Sequence, residues 1–139
     1  MDDRQDVAFA DRGFVATRED PLIKRADGGV AWDLTAYDFL KGPAPASANP
    51  LLWRQQGLLA RHGLYKVSDR IWQVRGFDVS NATFIRGETG WVVIDPLTSV
   101  ETAAAALAVL SPGGRLLACT NHQGISPRRF QGFLADAAT

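Results

Sequence analysis

This sequence has few histidine and cysteine side chains, which are common zinc ligands. The chain has two histidines, His62 and His122, one cysteine, Cys119, and an aspartate, Asp95, directly after the apolar run Trp91–Ile94. A hydrolytic zinc centre takes several nitrogen, sulfur or carboxylate ligands. His122 with Cys119 and Asp95 would form at best an incomplete mononuclear site. We therefore predict no catalytic, cofactor-binding or metal-binding residue in this chain.

Each of these residues also has a simple structural interpretation. His122 is expected at the surface or in a terminal segment, and Cys119 is expected to be a small buried residue near a strand end. His62 falls near the end of a predicted helix, where it can interact favourably with the helix dipole. Asp95 can cap the turn into the following helix, a role that needs no metal.

Other polar groups give no stronger sign of catalysis. Arg75, Asp78 and Asn81 lie between two predicted strands, where Asp and Asn side chains bond their own backbone and a strand-end arginine is usually solvated. The run Arg128–Phe130 contains two arginines beside an aromatic ring. Two charges are too few for a nucleic-acid or anion site, so we interpret this run as part of a solvated tail.

The composition is that of an ordinary globular protein. Of the 139 residues, 46% are hydrophobic and 22% are charged, which is enough for one core. Fifteen basic and fifteen acidic residues cancel, so no overall charge favours nucleic acid or an anionic membrane. The single cysteine excludes an intramolecular disulfide, and no apolar run is long enough for a membrane span. We expect a cytoplasmic protein as written, or a periplasmic or secreted one if the true start lies upstream.

The best patterned part of the chain predicts three strands. They lie within Ile71–Gly76, Asn81–Arg86 and Gly90–Pro96, which are rich in β-branched and aromatic residues and separated by glycine. The continuous apolar run Trp91–Ile94 favours a strand covered on both faces over the alternative, a short buried helix.

A helix and a further strand follow. Thr98–Glu101 matches a capping box, which places a helix start near Ser99. The alanines between Pro96 and Pro112 favour a helix that approaches a sheet closely. The run Arg115–Cys119 then predicts the second strand of a βαβ unit.

The first sixty-two residues look like an arm that wraps a larger body. Proline and glycine interrupt the segment, yet its aromatic and aliphatic clusters are costly to leave in water. Asn49 and Pro50 predict the start of a helix over Leu51–Arg61, with Gly63 ending it. Asp33 or Thr35 is predicted to cap a short turn that runs on to Leu40.

Several of these segments resemble the alkyl sulfatases of the metallo-β-lactamase superfamily. The likeness covers residues from about 11 to 110, and the arm together with the Val-Arg-Gly-Phe-Asp segment is its most specific part. The segments that carry it are Asp11–Thr17, Trp32–Leu34, Tyr37–Leu40, Asn49–Gln55, Gly63–Val67, Ile71–Asn81, Gly90–Leu97 and Glu101–Leu107.

The resemblance implies an α/β fold, namely part of an αββα sandwich preceded by an extended arm. It also implies a dimeric hydrolase that uses two zinc ions to cleave long-chain primary alkyl sulfates. In the family a His-x-His-x-Asp-His loop follows the βαβ unit, but here Cys119–Pro127 has one histidine. The region through which the family dimerises is absent too. We expect an arm over residues 1–62, a first part of the domain over 63–119 and a divergent tail over 120–139.

These observations predict the amino-terminal part of an alkyl sulfatase that is inactive alone and binds no zinc. The alternative is a noncatalytic fragment that acts by docking to a partner or a full-length relative. A thioesterase or lactonase of the same superfamily is a weaker option, because the arm argues against it. The loss of likeness after Leu110 suggests a change of reading frame or a premature end.

Overall fold

The computed structural model describes residues 3–109 and 116–118. The elements, in chain order, are α1 (Asp3–Asp11), β1 (Phe14–Ala16), β2 (Leu22–Lys24), β3 (Val30–Asp33), a short 3₁₀ helix (Asp38–Lys41), α2 (Pro50–Leu59), β4 (Gly63–Ser68), β5 (Ile71–Arg75), β6 (Ala82–Arg86), β7 (Trp91–Ile94), α3 (Val100–Ala108) and β8 (Leu116–Ala118).

Six strands form one sheet in the order β1-β4-β5-β6-β7-β8. Neighbouring strands are antiparallel except β7 and β8, which are parallel and joined through α3. A parallel pair needs such a crossover connection, whereas antiparallel neighbours can be joined by hairpins. The predicted strands and the predicted βαβ unit are confirmed.

The core lies on one face of this sheet. Phe84 and Val93, on adjacent strands, pack in one cluster with Ala105 and Ala106 of α3. The small alanine side chains let the helix approach the strands closely, as predicted. The antiparallel hairpin β2–β3 adds further members to the cluster.

The arm takes a larger part in the fold than wrapping implies. Its strand β1 pairs with β4 and so forms one edge of the main sheet, and its residues Ile23 and Leu34 belong to the core. The Trp32 indole also donates a 2.9 Å hydrogen bond to the carbonyl of Gly76, which ties the hairpin to the end of β5. Neither β1 nor α1 is predicted from the sequence.

The second helix begins as predicted but ends early. The Asn49 side chain accepts hydrogen bonds from the amides of Leu51 and Leu52, and Pro50 occupies the first turn. The helix stops at Leu59 with Ala60 as its C-cap, so Gly63 does not end it. Gly63 instead opens β4 with a φ of 139°, a value that favours glycine.

Cover on both faces of β7 is not observed. Val93 is 5% exposed, whereas Val92 and Ile94 are 40% and 54% exposed. Side chains alternate between the faces of a strand, so one face packs on the core and the other stays open. The strand itself is confirmed, and within the described residues one of its two faces is covered.

The helices of the described part were compared with the length and hydropathy needed to span a bilayer. None of the helices within residues 3–109 meets both requirements.

Candidate functional site

The carboxyl end of β7 leads into a turn with unusual backbone geometry. Asp95 and Leu97 both have positive φ values, 55° and 73°, which non-glycine residues rarely adopt. Such conformations persist only where surrounding contacts enforce them. The Asp95 carboxylate accepts a 3.3 Å bond from the Leu97 amide, in agreement with its predicted role in the turn. Ligands of α/β folds often bind beyond the carboxyl ends of strands, so this turn is the first place to look for a site.

Asp78 holds this turn from the neighbouring loop between β5 and β6. One carboxylate oxygen, Oδ2, accepts a 2.8 Å bond from the Thr98 amide, a bond from the Thr98 hydroxyl and a 2.9 Å bond from the Thr102 hydroxyl. The other oxygen accepts from the Ser80 amide at 3.3 Å. The bond to Ser80 is the local turn predicted from the sequence, while the bonds to the threonines were not predicted.

The surroundings of the Asp78 side chain, which is 5% exposed, favour its charged form. Burial by itself raises the pKa of this carboxyl, but the hydrogen bonds from Thr98, Thr102 and Ser80 lower the pKa more, so the net shift is below the ordinary value. These donors are neutral, so the contacts described here stabilise the negative charge of Asp78 through hydrogen bonds alone. The arrangement supports a structural role, namely fixing the turn between β7 and α3.

The cap of α3 differs by one residue from the predicted one. Ser99 is the N-cap, and its side chain accepts from the Thr102 amide while the Thr102 hydroxyl bonds the Ser99 amide. The predicted box used Thr98 and Glu101. That box is wrong because the Thr98 hydroxyl is already bonded to Asp78.

Arg75 is not a solvated strand-end charge. Its guanidinium lies 4.3 Å from the ring centroid of Tyr65, and its Nε donates a 2.7 Å bond to Gln73. Phe14 of β1 packs edge-on against the same Tyr65 ring with centroids 5.5 Å apart. Tyr65 is thereby 2% exposed, and burial raises the pKa of its hydroxyl. These contacts join the arm to the sheet and point to a role in stability, while the absence of a catalytic role for Arg75 stays a prediction.

His62 lies beyond the end of α2 and bonds the arm. Its Nδ1 is 2.8 Å from the Thr17 hydroxyl oxygen, and burial lowers the pKa of the imidazole. The neutral ring is therefore favoured, which does not fit the predicted interaction of a charged ring with the helix dipole. The structure assigns His62 to the junction between β1 and β4.

The donor set does not fit a zinc centre in the described part of the chain. Within residues 3–109 and 116–118, no three His, Cys, Asp or Glu side chains lie close enough to hold a metal ion. Asn81 is exposed and lies in the loop just before β6. The predictions for Cys119, His122 and Arg128–Phe130 lie outside the described residues.

A shallow cavity lies at the opposite end of the sheet from Asp95. It has a volume of about 660 Å³ and is lined by residues 68–71 and 85–88, from the turns that join β4 to β5 and β6 to β7. It does not reach the carboxyl end of β7, so it contributes nothing to a site there.

Comparison with known proteins identifies the class of this fold. Residues 75–121 match the Metallo-beta-lactamase superfamily. The matched segment contains β6, β7 and α3, so this part of the sheet and its covering helix resemble that superfamily. The match extends beyond Leu110, the position after which the resemblance was expected to disappear.

Curated relatives define the family within that class. The chain is 45% identical over 106 residues to the alkyl/aryl-sulfatase BDS1 of Saccharomyces cerevisiae. It is 44% identical over 109 residues to the linear primary-alkylsulfatase of a Pseudomonas species, and 45% identical over 106 residues to an (R)-specific secondary-alkylsulfatase of the same genus. These matches cover 76–77% of this chain and 16% of each relative.

A solved structure supports the same assignment. The inverting sec-alkylsulfatase Pisa1 of Pseudomonas sp. superposes with a TM-score of 0.75 at 42% identity, over 82% of this chain and 18% of that one. Most of the chain is thus similar to part of the alkyl sulfatases of the metallo-β-lactamase superfamily, and it spans about one sixth of the length of the curated relatives that it matches. The predicted family and the predicted partial α/β sandwich are confirmed.

Proposed function

We propose that this chain is the amino-terminal part of an alkyl sulfatase, a hydrolase that releases sulfate from alkyl sulfate esters, and that it has no such activity alone. The observation that carries the proposal is the 44–45% identity to three sulfatases over three quarters of the chain. The superposition on Pisa1 supports it independently, because the segment adopts the same fold inside a much longer enzyme.

The chemistry of the reaction supports the proposal that the chain is inactive alone. Zinc in such enzymes neutralises the charge of the ester and activates water, and a centre that does this needs several side-chain ligands. The chain has two histidines in all, and His62 is bonded to Thr17. The residues that the structure describes do not fit a zinc centre, so we assign no step of the reaction to them.

The matched segment does not select one class of alkyl sulfate. Relatives named for linear primary and for secondary alkyl sulfates are 44% and 45% identical to it. We therefore extend the predicted primary alkyl sulfates to alkyl sulfates in general, and assign the choice between them to parts of the enzymes outside this segment.

The test is to purify the 139-residue chain, incubate it with zinc, and measure bound zinc and sulfate release from dodecyl sulfate. We expect neither bound zinc in stoichiometric amount nor release above the rate in buffer. A full-length alkylsulfatase from the same preparation scheme serves as the positive control. Stoichiometric zinc together with sulfate release by the chain would overturn the proposed inactivity.

A second candidate function is noncatalytic docking to a partner. The exposed aliphatic side chains of β7, Val92 and Ile94, favour it, because exposed apolar surface on a sheet often marks an interaction site. Binding to an alkylsulfatase without any gain in sulfate release would support this candidate over the first.

A further inference from the structure

The solvent-facing side of α2 carries leucine where a surface helix usually carries charge. With 3.6 residues per turn, positions 51, 52, 55, 56 and 59 fall within an arc of about 140°. All five side chains are exposed, and Leu51, Leu52 and Leu59 are 75%, 64% and 61% exposed. The other two are Gln55 and Gln56, so the arc contains no charged residue. These five residues are called the α2 face below.

The opposite side of α2 packs on the arm. The Trp53 indole donates a 2.9 Å hydrogen bond to the carbonyl of Gly42 and lies edge-on to the ring of Phe39. Arg54 donates a 2.6 Å bond to the carboxylate of Asp6 in α1. The helix is therefore held through one side, and within residues 3–109 and 116–118 the α2 face is open to solvent.

The composition of the α2 face limits what could cover it. A nucleic acid or an anionic membrane surface requires basic groups, and a charged peptide requires groups of the opposite charge. The α2 face has neither. An uncharged helix that also carries leucine fits this surface, because helices pack side by side through interlocking aliphatic side chains.

The order of residues along the α2 face makes the face complementary to itself. Leucines lie at both ends of the helix and the two glutamines lie in the middle. An antiparallel second α2, related by a twofold axis between Gln55 and Gln56, places Leu52 against Leu59 of the second copy. A twofold contact uses the same surface on both copies, so this leucine pair occurs twice.

The centre of the same arrangement is polar but can satisfy its own hydrogen bonds. The twofold axis places Gln55 against Gln56 of the second copy. Each glutamine amide has two donor hydrogens and one acceptor oxygen, so facing amides can bond each other. Antiparallel helices also bring the positive end of one helix dipole beside the negative end of the other.

We propose that the chain forms a homodimer through the α2 face, with the two α2 helices antiparallel. The contact joins two helices of ten residues, which is a small interface. The dimer is therefore weak, with a dissociation constant on the order of 10–100 µM. Because α2 belongs to the arm, this contact is distinct from the dimerisation region of the family, which the sequence resemblance implies is absent. The inference does not depend on the proposed sulfatase function.

The experiment is sedimentation velocity of the full 139-residue chain from about 1 µM to about 300 µM, a range that brackets this dissociation constant. We expect monomer at the lowest concentration and dimer at the highest. Leu52→Glu and Leu59→Lys, each alone, should raise the dissociation constant at least about tenfold, because each places an unpaired charge against a leucine.

The double variant Leu52→Glu/Leu59→Lys tests the proposed register. In the antiparallel pair, the glutamate introduced at position 52 faces the lysine introduced at position 59 of the second copy. The double variant should therefore return to within about threefold of the wild-type dissociation constant. An equimolar mixture of the two single variants should form a heterodimer, since one end then pairs the two charges and the other keeps leucine against leucine.

Val100→Glu is the matched control for the added charge. Val100 is 47% exposed and begins α3, so it lies on a helix but outside the α2 face. This variant should keep the wild-type dissociation constant. Glutamate and lysine both favour helix, and circular dichroism establishes that each variant is folded. If a charged variant unfolds, Leu52→Gln and Leu59→Gln replace it, and each should weaken the dimer at least about threefold.

Several results would overturn the inference. These are a chain that stays monomeric at about 300 µM, and α2 variants that associate as well as Val100→Glu. A double variant that associates as weakly as the single variants would show that Leu52 and Leu59 do not face each other. Species larger than a dimer that the α2 variants leave unchanged would assign self-association to another surface.

Discussion

The Asp78 carboxylate accepts a 2.9 Å hydrogen bond from the hydroxyl of Thr102, twenty-four residues further along the chain. Both residues are buried, and Thr102 also takes part in the cap of α3. The bond therefore connects the loop after β5 to the first turn of the helix that crosses to β8. Because Thr98 bonds the same oxygen, the left-handed turn at Asp95 and Leu97 is held from one side by a single carboxylate.

Replacing Asp78 should destabilise the fold. Asp78→Ala leaves the amide and hydroxyl of Thr98 without their acceptor and removes one of the hydrogen bonds of the buried Thr102 hydroxyl, which costs about 3 kcal/mol. Asp78→Asn keeps the shape and one acceptor oxygen, so its cost should be about 2 kcal/mol. Urea unfolding followed by tryptophan fluorescence measures both differences in the free energy of unfolding.

Asp69→Asn is the control for the loss of an aspartate charge. Asp69 is almost fully exposed and pairs with Lys66 at 3.0 Å. Exposed ion pairs contribute little to stability, so the free energy of unfolding of this variant should lie within about 0.5 kcal/mol of the wild-type value. Equal stability of Asp78→Ala and Asp69→Asn would show that the network around Asp78 does not hold the turn.

The contribution of Asp78 should also disappear in acid. The pKa of Asp78 in the native state lies below its ordinary value. At pH values between the native and the unfolded pKa, the native state therefore binds fewer protons than the unfolded state. The stabilisation is fully present above the unfolded pKa of about 3.9 and is lost as the pH falls through the lower native pKa. The difference in urea midpoint between wild type and Asp78→Asn should therefore narrow between pH 5 and pH 2.

Asp33, whose pKa is also lowered through its bonds to Thr35, titrates in the same window. It is present in both the wild type and Asp78→Asn, so its effect cancels in the difference. A difference in midpoint that stays constant down to pH 2 would contradict the assigned role of the charged Asp78.

Local patterns in the sequence were sufficient to predict the helices and strands that short-range interactions determine. Asn49 and Pro50 define the start of α2, and the glycine-bounded apolar runs define β5 to β7. The predicted start of a helix is wrong by one residue where a side chain expected to cap the helix bonds a distant residue instead. Thr98 was expected to cap α3 but bonds Asp78, so Ser99 takes the cap.

Contacts between distant parts of the chain could not be predicted from the sequence. The strand Phe14–Ala16 is recognisable only through its pairing with β4, about fifty residues away. Arg75 looked solvated because nothing local shows that Tyr65 lies beneath it. The bonds of Asp78 to Thr98 and Thr102 likewise depend on two loops meeting at one end of the sheet.

Two glycines with similar backbone angles should respond differently to substitution. Gly13 and Gly28 have φ values of 81° and 84°. A Cβ at Gly13 would lie 2.2 Å from the carbonyl oxygen of Lys66, whereas a Cβ at Gly28 meets nothing within 4 Å. Gly28→Ala should cost about 1 kcal/mol for the left-handed backbone alone.

Gly13→Ala should lower the free energy of unfolding by at least about 1 kcal/mol more than Gly28→Ala, because the new Cβ must also displace β1 from β4. The Gly13 carbonyl accepts a 2.7 Å bond from the Lys66 amide, so that displacement loses a backbone bond at the sheet edge. Urea midpoints of the two variants test the comparison. Equal decreases in stability would mean that the contact between Gly13 and Lys66 at the sheet edge can move apart without a cost in free energy.

The junction at His62 should make stability depend on pH near neutrality. Burial lowers the native pKa of this imidazole below 6.5, its ordinary value. The unfolded state therefore binds more protons once the pH falls through about 6.5, and stability decreases until the native pKa is reached. His62→Gln, which can still bond Thr17, should flatten the change in urea midpoint between pH 7 and pH 5. An unchanged slope in His62→Gln would contradict the assignment.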